Sequence, residues 1–153
     1  MNSRMLSTLA LLLTVGCASA KQKALESAMD QIWNQGDLTL IDKAYSPELA
    51  PQIRQFVEEN RALYPDIHIE IRDVVVKGNT FVTHWSVHGT HRDLKVPVTI
   101  EGMSIRKREG GVFVEESMYY DMKSVYDQLG FMVVPPEGAS PFDPPTAAAT
   151  HPQ

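Results

Sequence analysis

The hydrophobic period of this chain changes once, at Tyr64-Pro65-Asp66, and that change sets the class of fold. Before it, apolar residues recur at helical spacing. Leu25, Ala28, Met29, Ile32 and Trp33 share one helix face over Ala24–Trp33, the i, i+3, i+4, i+7 pattern. After it, Ile67, Ile69 and Ile71 alternate with His68, Glu70 and Arg72, the period of a half-buried strand. Helices with one apolar stripe and strands with one apolar face must cover each other. The chain therefore reads as one α+β domain, helices first and an antiparallel sheet after them.

The stops and starts refine this order. Asn34-Gln35-Gly36-Asp37 ends the first helix, with Gly36 suited to a C-terminal cap and Asp37 to the next N-cap. A short helix carries Leu40, Ile41, Ala44 and Tyr45. A third starts near Pro51 and presents Ile53, Phe56, Val57, Asn60 and Leu63 until Pro65 stops it. The first strand runs on through Val74–Val76 to Gly78-Asn79, a two-residue hairpin turn. Phe81–Thr90 returns, Lys95–Arg108 is the third strand, and Gly110-Gly111 turns it into the fourth, Val112–Tyr120. Met122–Leu129 is a terminal helix. The sheet, curved around the helices, would enclose a central pocket.

The ends of the chain read differently from its middle. Residues 1–20 hold one basic residue, Arg4, no acid, and an apolar run over Met5–Val15. That is the pattern of an export signal. Leu13-Thr14-Val15-Gly16-Cys17 fits a bacterial lipobox, making Cys17 a lipidation site, and Ala18-Ser19-Ala20 fits ordinary cleavage. The chain is therefore expected to be exported, as a periplasmic protein or an outer-membrane-anchored lipoprotein, touching the membrane only through that anchor. Residues 21–132 form the domain. Residues 133–153, rich in Pro, Ala, Gly and Thr, read as a disordered tail.

Cys17 is the only cysteine, so no disulfide framework or thiolate metal site is expected. The formal charge of −5 becomes −6 once Arg4 leaves with the signal, an acidic balance that argues against nucleic acid as a partner. His84 and His88 on one strand would stand about 13 Å apart, too far to share one metal ion. No metal site is expected, and His91 is considered alone, at the rim of the face that carries Trp85.

The residues closest to chemistry lie in the fourth strand and just beyond it. On a regular strand Glu115, Ser117, Tyr119 and Asp121 share one face. Such a face either meets solvent, with Asp121 as N-cap of the last helix, or walls a polar pocket. A carboxylate in an apolar pocket can exchange protons with a carbon acid. Trp33 and Trp85 are core residues or pocket walls on the same reasoning.

Several short motifs, in order, resemble the SnoaL-like polyketide cyclases of the nuclear transport factor 2-like superfamily. They are Trp33 to Asp37 with Tyr45, Tyr64 to Ile67, Trp85 with Gly89-Thr90-His91, and Glu115 to Asp121 to Gln128-Leu129-Gly130. The resemblance spans about Leu25 to Phe131. It implies a cone-shaped α+β fold, cystatin-like in its curved sheet, that pairs into homodimers. It implies ring closure or isomerisation of a small hydrophobic carbonyl compound without a cofactor. Asp121 matches the family's general acid/base, and His91, Asn34, Tyr119, Trp85 and Trp33 are carried over as substrate contacts. The alternative is a non-catalytic envelope module of the same fold that binds a small ligand or a protein.

Overall fold

A computed structural model describes residues 19–132 and 134. The expected signal with Cys17 and the tail beyond 134 lie outside these residues. The described chain is helical over residues 19–29 (α1), and a π-turn, Asp30–Asn34, ends that helix. A 3-10 turn, Leu38–Leu40, leads into α2 (Ile41–Ala44) and then α3 (Ala50–Leu63). Four strands follow: β1 (His68–Lys77), β2 (Thr80–Thr90), β3 (Pro97–Glu109) and β4 (Val112–Tyr120). A last helix, α4, covers Met122–Gln128. The strands form one antiparallel sheet in the order β1-β2-β3-β4. No helix of the described residues is long and apolar enough to cross a membrane.

The helix stripes read from the sequence are the buried ones. Leu25 and Met29 of α1, Ile32 and Trp33 of the π-turn that ends it, and Val57 of α3 lie in the core with Phe81, Trp85 and Phe113 of the sheet. Asp37 caps the 3-10 turn by accepting from the Thr39 N–H at 3.1 Å. The second helix differs from expectation at its end. Tyr45 leaves it in an extended conformation and bridges Phe113, while the Ser46 N–H donates to the Phe113 carbonyl at 2.9 Å. Tyr45 is thereby fastened beside β4 rather than carried on a helix face.

Two bulges bend the sheet and re-phase its strands. In β1 the register passes from Ile71, opposite Trp85, to Asp73, opposite His84, so Arg72 is left over. Ile69 and Ile71 face inward before the bulge, and Val74 and Val76 after it. In β4 the register passes from Phe113, opposite Arg108, to Glu115, opposite Lys107, leaving Val114 over. The side chains of Phe113 and Glu116 are consequently both buried, although they are three residues apart. One side chain on β3 is missing for a reason: a Cβ at Gly102 would lie 2.5 Å from the Trp85 ring. The glycine lets that indole lie across β3.

Candidate functional site

The concave face of the sheet and the helices enclose a cavity of about 60 Å³. That is room for roughly four waters or a compound of similar size. Its walls are mostly apolar. Trp33 comes from the π-turn that ends α1, Ile53 and Phe56 from α3, and Trp85 and Met118 from the sheet. The Trp33 and Phe56 rings meet edge to face at 5.8 Å. The Trp85 indole N–H donates to Ser104 Oγ at 2.9 Å, so its polar atom is satisfied and its ring is held as a wall.

One side of this cavity carries charge. Arg106 on β3 and Glu116 on β4 are direct partners across the ladder, and both point inward. Arg106 Nη2 lies 2.6 Å from Glu116 Oε1, with the two side chains only 5% and 4% exposed. Arg106 Nη1 donates to Thr83 Oγ1 at 2.8 Å. The Tyr45 phenol sits against both charged groups, and burial, reinforced by the Glu116 charge, pushes its pKa far above the ordinary phenol value. Burial opposes the charge on Arg106, but the Glu116 charge and hydrogen bonds to Glu116 and Tyr45 win and hold its pKa above normal. The guanidinium stays charged.

The cluster is not closed. Among the described residues, Glu116 Oε2 and Arg106 Nε are buried without a hydrogen-bond partner. Buried polar atoms are rarely left so, because each forfeits its hydration. Here an acceptor and a charged donor are left open on groups that line one apolar cavity.

The residues singled out in the sequence fall into two groups. Trp33 and Trp85 line the cavity. Asn34, His91, Tyr119 and Asp121 are not among its lining residues. Asn34 instead clamps α1 to β1: its Oδ1 accepts from the Ile69 N–H at 2.7 Å and its Nδ2 donates to the Ile69 carbonyl at 3.1 Å. It positions Trp33 without meeting the cavity. β2 ends at Thr90, and His91 opens the turn beyond it, where Nδ1 accepts from the Asp93 and Leu94 N–H groups at 3.3 and 3.2 Å. The His91 ring stands edge-on to Tyr64 at 5.7 Å.

Glu115, Ser117, Tyr119 and Asp121 do share a face, and it is the outer one. All four are exposed, Tyr119 at 64%. Asp121 accepts from the Ser124 N–H at 3.1 Å and caps α4. The bulge at Val114 is the physical reason. A regular strand from the buried Phe113 would have turned these odd-numbered residues inward with it; the extra residue turns Glu116, Met118 and Tyr120 inward instead. Arg106, Glu116 and Tyr45 were missed as candidate site residues. A signal for two of them was present, because Arg106-Lys107 and Glu115-Glu116 flank the Gly110-Gly111 turn with matched opposite charges.

An antiparallel, curved sheet wrapped on N-terminal helices around an interior pocket is the architecture of the nuclear transport factor 2-like proteins. Within that class the chain belongs to the SnoaL-like polyketide cyclase family, whose model matches residues 23–132. Solved structures agree on the fold. TsrD from Streptomyces laurentii superposes with a TM-score of 0.70 at 18% identity, over 74% of this chain and 97% of that one. AclR from Streptomyces galilaeus, provisionally named a hydroxylase, gives 0.63 at 22% identity, over 72% and 96%. A hypothetical protein with a ketosteroid isomerase-like fold from Catenulispora acidiphila, in complex with trimethylamine, gives 0.61 at 14% identity, over 69% and 92%. No curated protein matches the chain.

Proposed function

We propose that this protein is a cofactor-free acid/base enzyme of the cyclase or isomerase type, acting on a small apolar carbonyl compound in the central cavity. The family fold supports that class in general. The observation that carries the reading is the buried Glu116–Arg106 pair among the side chains that line an apolar cavity, with one carboxylate oxygen lacking a hydrogen-bond partner. Glu116 removes a proton α to the carbonyl. The C–H electron pair moves into the enolate, whose oxygen meets Arg106 and the neutral Tyr45 phenol. Isomerisation returns the proton at another carbon. Cyclisation instead forms a C–C bond from the enolate carbon to a second carbonyl, whose oxygen takes up the proton. The charged guanidinium is aimed where negative charge develops, which is worth most in a water-poor site.

Asp121, matched to the family's acid/base by position, is the rival for this role. The two are separated by solvent C–H exchange of small cyclic enones and 1,3-diketones in D₂O, followed by NMR. Glu116→Gln is expected to slow exchange by about 10²–10⁴, and Asp121→Asn by no more than a few-fold. Loss with Asp121→Asn and retention with Glu116→Gln moves the role to Asp121. Tight binding of an enone with no exchange favours the second reading, a ligand-binding module without turnover. That reading draws on the Arg106–Thr83 and Arg106–Glu116 bonds, which tie β2, β3 and β4 together irrespective of chemistry.

Export and pairing complete the proposal. The apolar run with Cys17 supports processing at the envelope; a mature N-terminus at a diacylated Cys17 is expected by mass spectrometry, and an intact Met1 would exclude it. Met103, Ile105 and Tyr119 are exposed on the outer sheet face, which supports a homodimer through that face. Sedimentation should give a dimer that Tyr119→Asp dissociates.

A further inference from the structure

A second cavity, about 210 Å³, opens on the other side of the Phe113 ring, between α1, α2 and the turn that joins β3 to β4. It shares no lining residue with the central one. Tyr45 of the central cavity and Phe113 of this one stand between them with their rings 5.6 Å apart, and Phe113 packs in turn against Phe81 at 5.3 Å. The floor is apolar, built from Leu25, Phe81 and Phe113 with small alanines along the two helices. The rim is basic. Lys21, Lys43 and Arg108 all line the groove, and no carboxylate does.

This charge pattern runs against the whole chain, which is acidic at −5. Lys21 reaches across to the Gly78 carbonyl at 3.1 Å, and Arg108 Nε donates to the Gly111 carbonyl at 2.8 Å. Both contacts are to neutral carbonyls, so the charges on these two side chains are held in place without being neutralised by them. The Arg108 guanidinium carbon lies 6.0 Å from the Phe113 ring centre, so charge and apolar floor adjoin. Lys43, exposed on α2, completes the set.

We infer that this groove binds a fatty acid: an alkyl chain on the Leu25–Phe81–Phe113 floor and a carboxylate among Lys21, Lys43 and Arg108. Charge complementarity selects this occupant. A neutral apolar ligand would leave three cations unanswered, and a free carboxylate without a tail would leave the partly exposed apolar lip at Ala24, Ala28, Leu40 and Ala44 uncovered. Residues 1–18, which lead into α1, are apolar but contain Arg4 and no acid, so they do not complement the rim.

Titration of the purified full chain with dodecanoate, followed by calorimetry, tests this. Saturable binding is expected, with dodecanol and acetate each binding at least tenfold more weakly. Lys43→Gln, at an exposed position, should weaken dodecanoate on the order of tenfold through loss of one charge-assisted contact. Ala24→Trp, placed on the exposed lip, should block the groove while leaving the melting temperature unchanged. Dodecanoate affinity untouched by Ala24→Trp would put the ligand outside this groove and overturn the inference. So would equal binding of dodecanol, or no dodecanoate binding because residues 1–18 fill the groove. Capture by phosphatidylglycerol vesicles with no affinity for monomeric dodecanoate would identify a lipid surface instead and also overturn it.

Discussion

β3 and β4 carry two ion pairs side by side, and they differ in almost everything except length. Arg106–Glu116 and Lys107–Glu115 are neighbouring partners in the same ladder, each closed at 2.6 Å. The first is sealed inside, with side chains 5% and 4% exposed; the second is on the outer face at 52% and 62%. Water screens the outer pair and hydrates each partner equally well when they part. The inner pair has given up that hydration, and its attraction only offsets the loss. Contact distance therefore says little about worth. Burial decides it, and a pair that adds little net stability is retained more readily for what its open atoms can do.

Removing one inner partner should produce the largest effect. Glu116→Ala leaves the Arg106 guanidinium buried with no anion, at a cost of about 3–5 kcal/mol. Over a domain of this size that lowers the melting temperature by roughly 10–20 °C, measurable by calorimetry. The double replacement Arg106→Met, Glu116→Leu should recover most of that stability while remaining inert in the exchange assay. Recovery without activity would separate the pair's chemical role from its structural one. A double variant as unstable as Glu116→Ala would assign the pair to folding.

Much of this contrast was out of reach of sequence reasoning. Helix faces were legible because Leu25, Met29, Ile32 and Val57 repeat at helical spacing over long enough runs to leave one solution. Strand order was legible because Gly78-Asn79 and Gly110-Gly111 mark tight turns, and the four glycine and asparagine positions leave little room for another topology. Which face of β4 looks inward was not. That depends on a single extra residue, Val114, and a bulge has no composition of its own when a valine fills it. The same is true of Tyr45. Its helical spacing after Ile41 is real, but its extended backbone comes from pairing with Phe113, a partner 68 residues away (113 − 45). Family position pointed to Asp121, and local hydrogen bonding made it a helix cap.

Tyr45 offers a pH-dependent way to sharpen the comparison. Burial and the Glu116 charge raise the phenol's pKa far above its ordinary 10.0. A raised folded-state pKa means the neutral phenol is favoured by folding. That contribution is complete below pH 10 and is lost as the pH climbs through and beyond it. Wild type should therefore lose melting temperature more steeply than Tyr45→Phe between about pH 9 and about pH 12. Lysine titration is common to both proteins and cancels in the difference. Parallel curves would mean the phenol ionises as freely folded as unfolded, and would detach it from the inner pair.

The outer pair should give the smallest effect, and its smallness is the informative outcome. Hydrogen bonding to Glu115, reinforced by its charge, raises the Lys107 pKa, yet both side chains stay hydrated. Lys107→Ala is expected to leave the melting temperature unchanged within error, at low salt and at about 1 M salt alike, because an exposed pair is already screened. It should also leave C–H exchange untouched, since neither Lys107 nor Glu115 lines the cavity. A loss comparable to that of Glu116→Ala would mean that the proposed homodimer interface extends from Met103, Ile105 and Tyr119 over this pair. The same variant should then shift the sedimentation profile towards monomer.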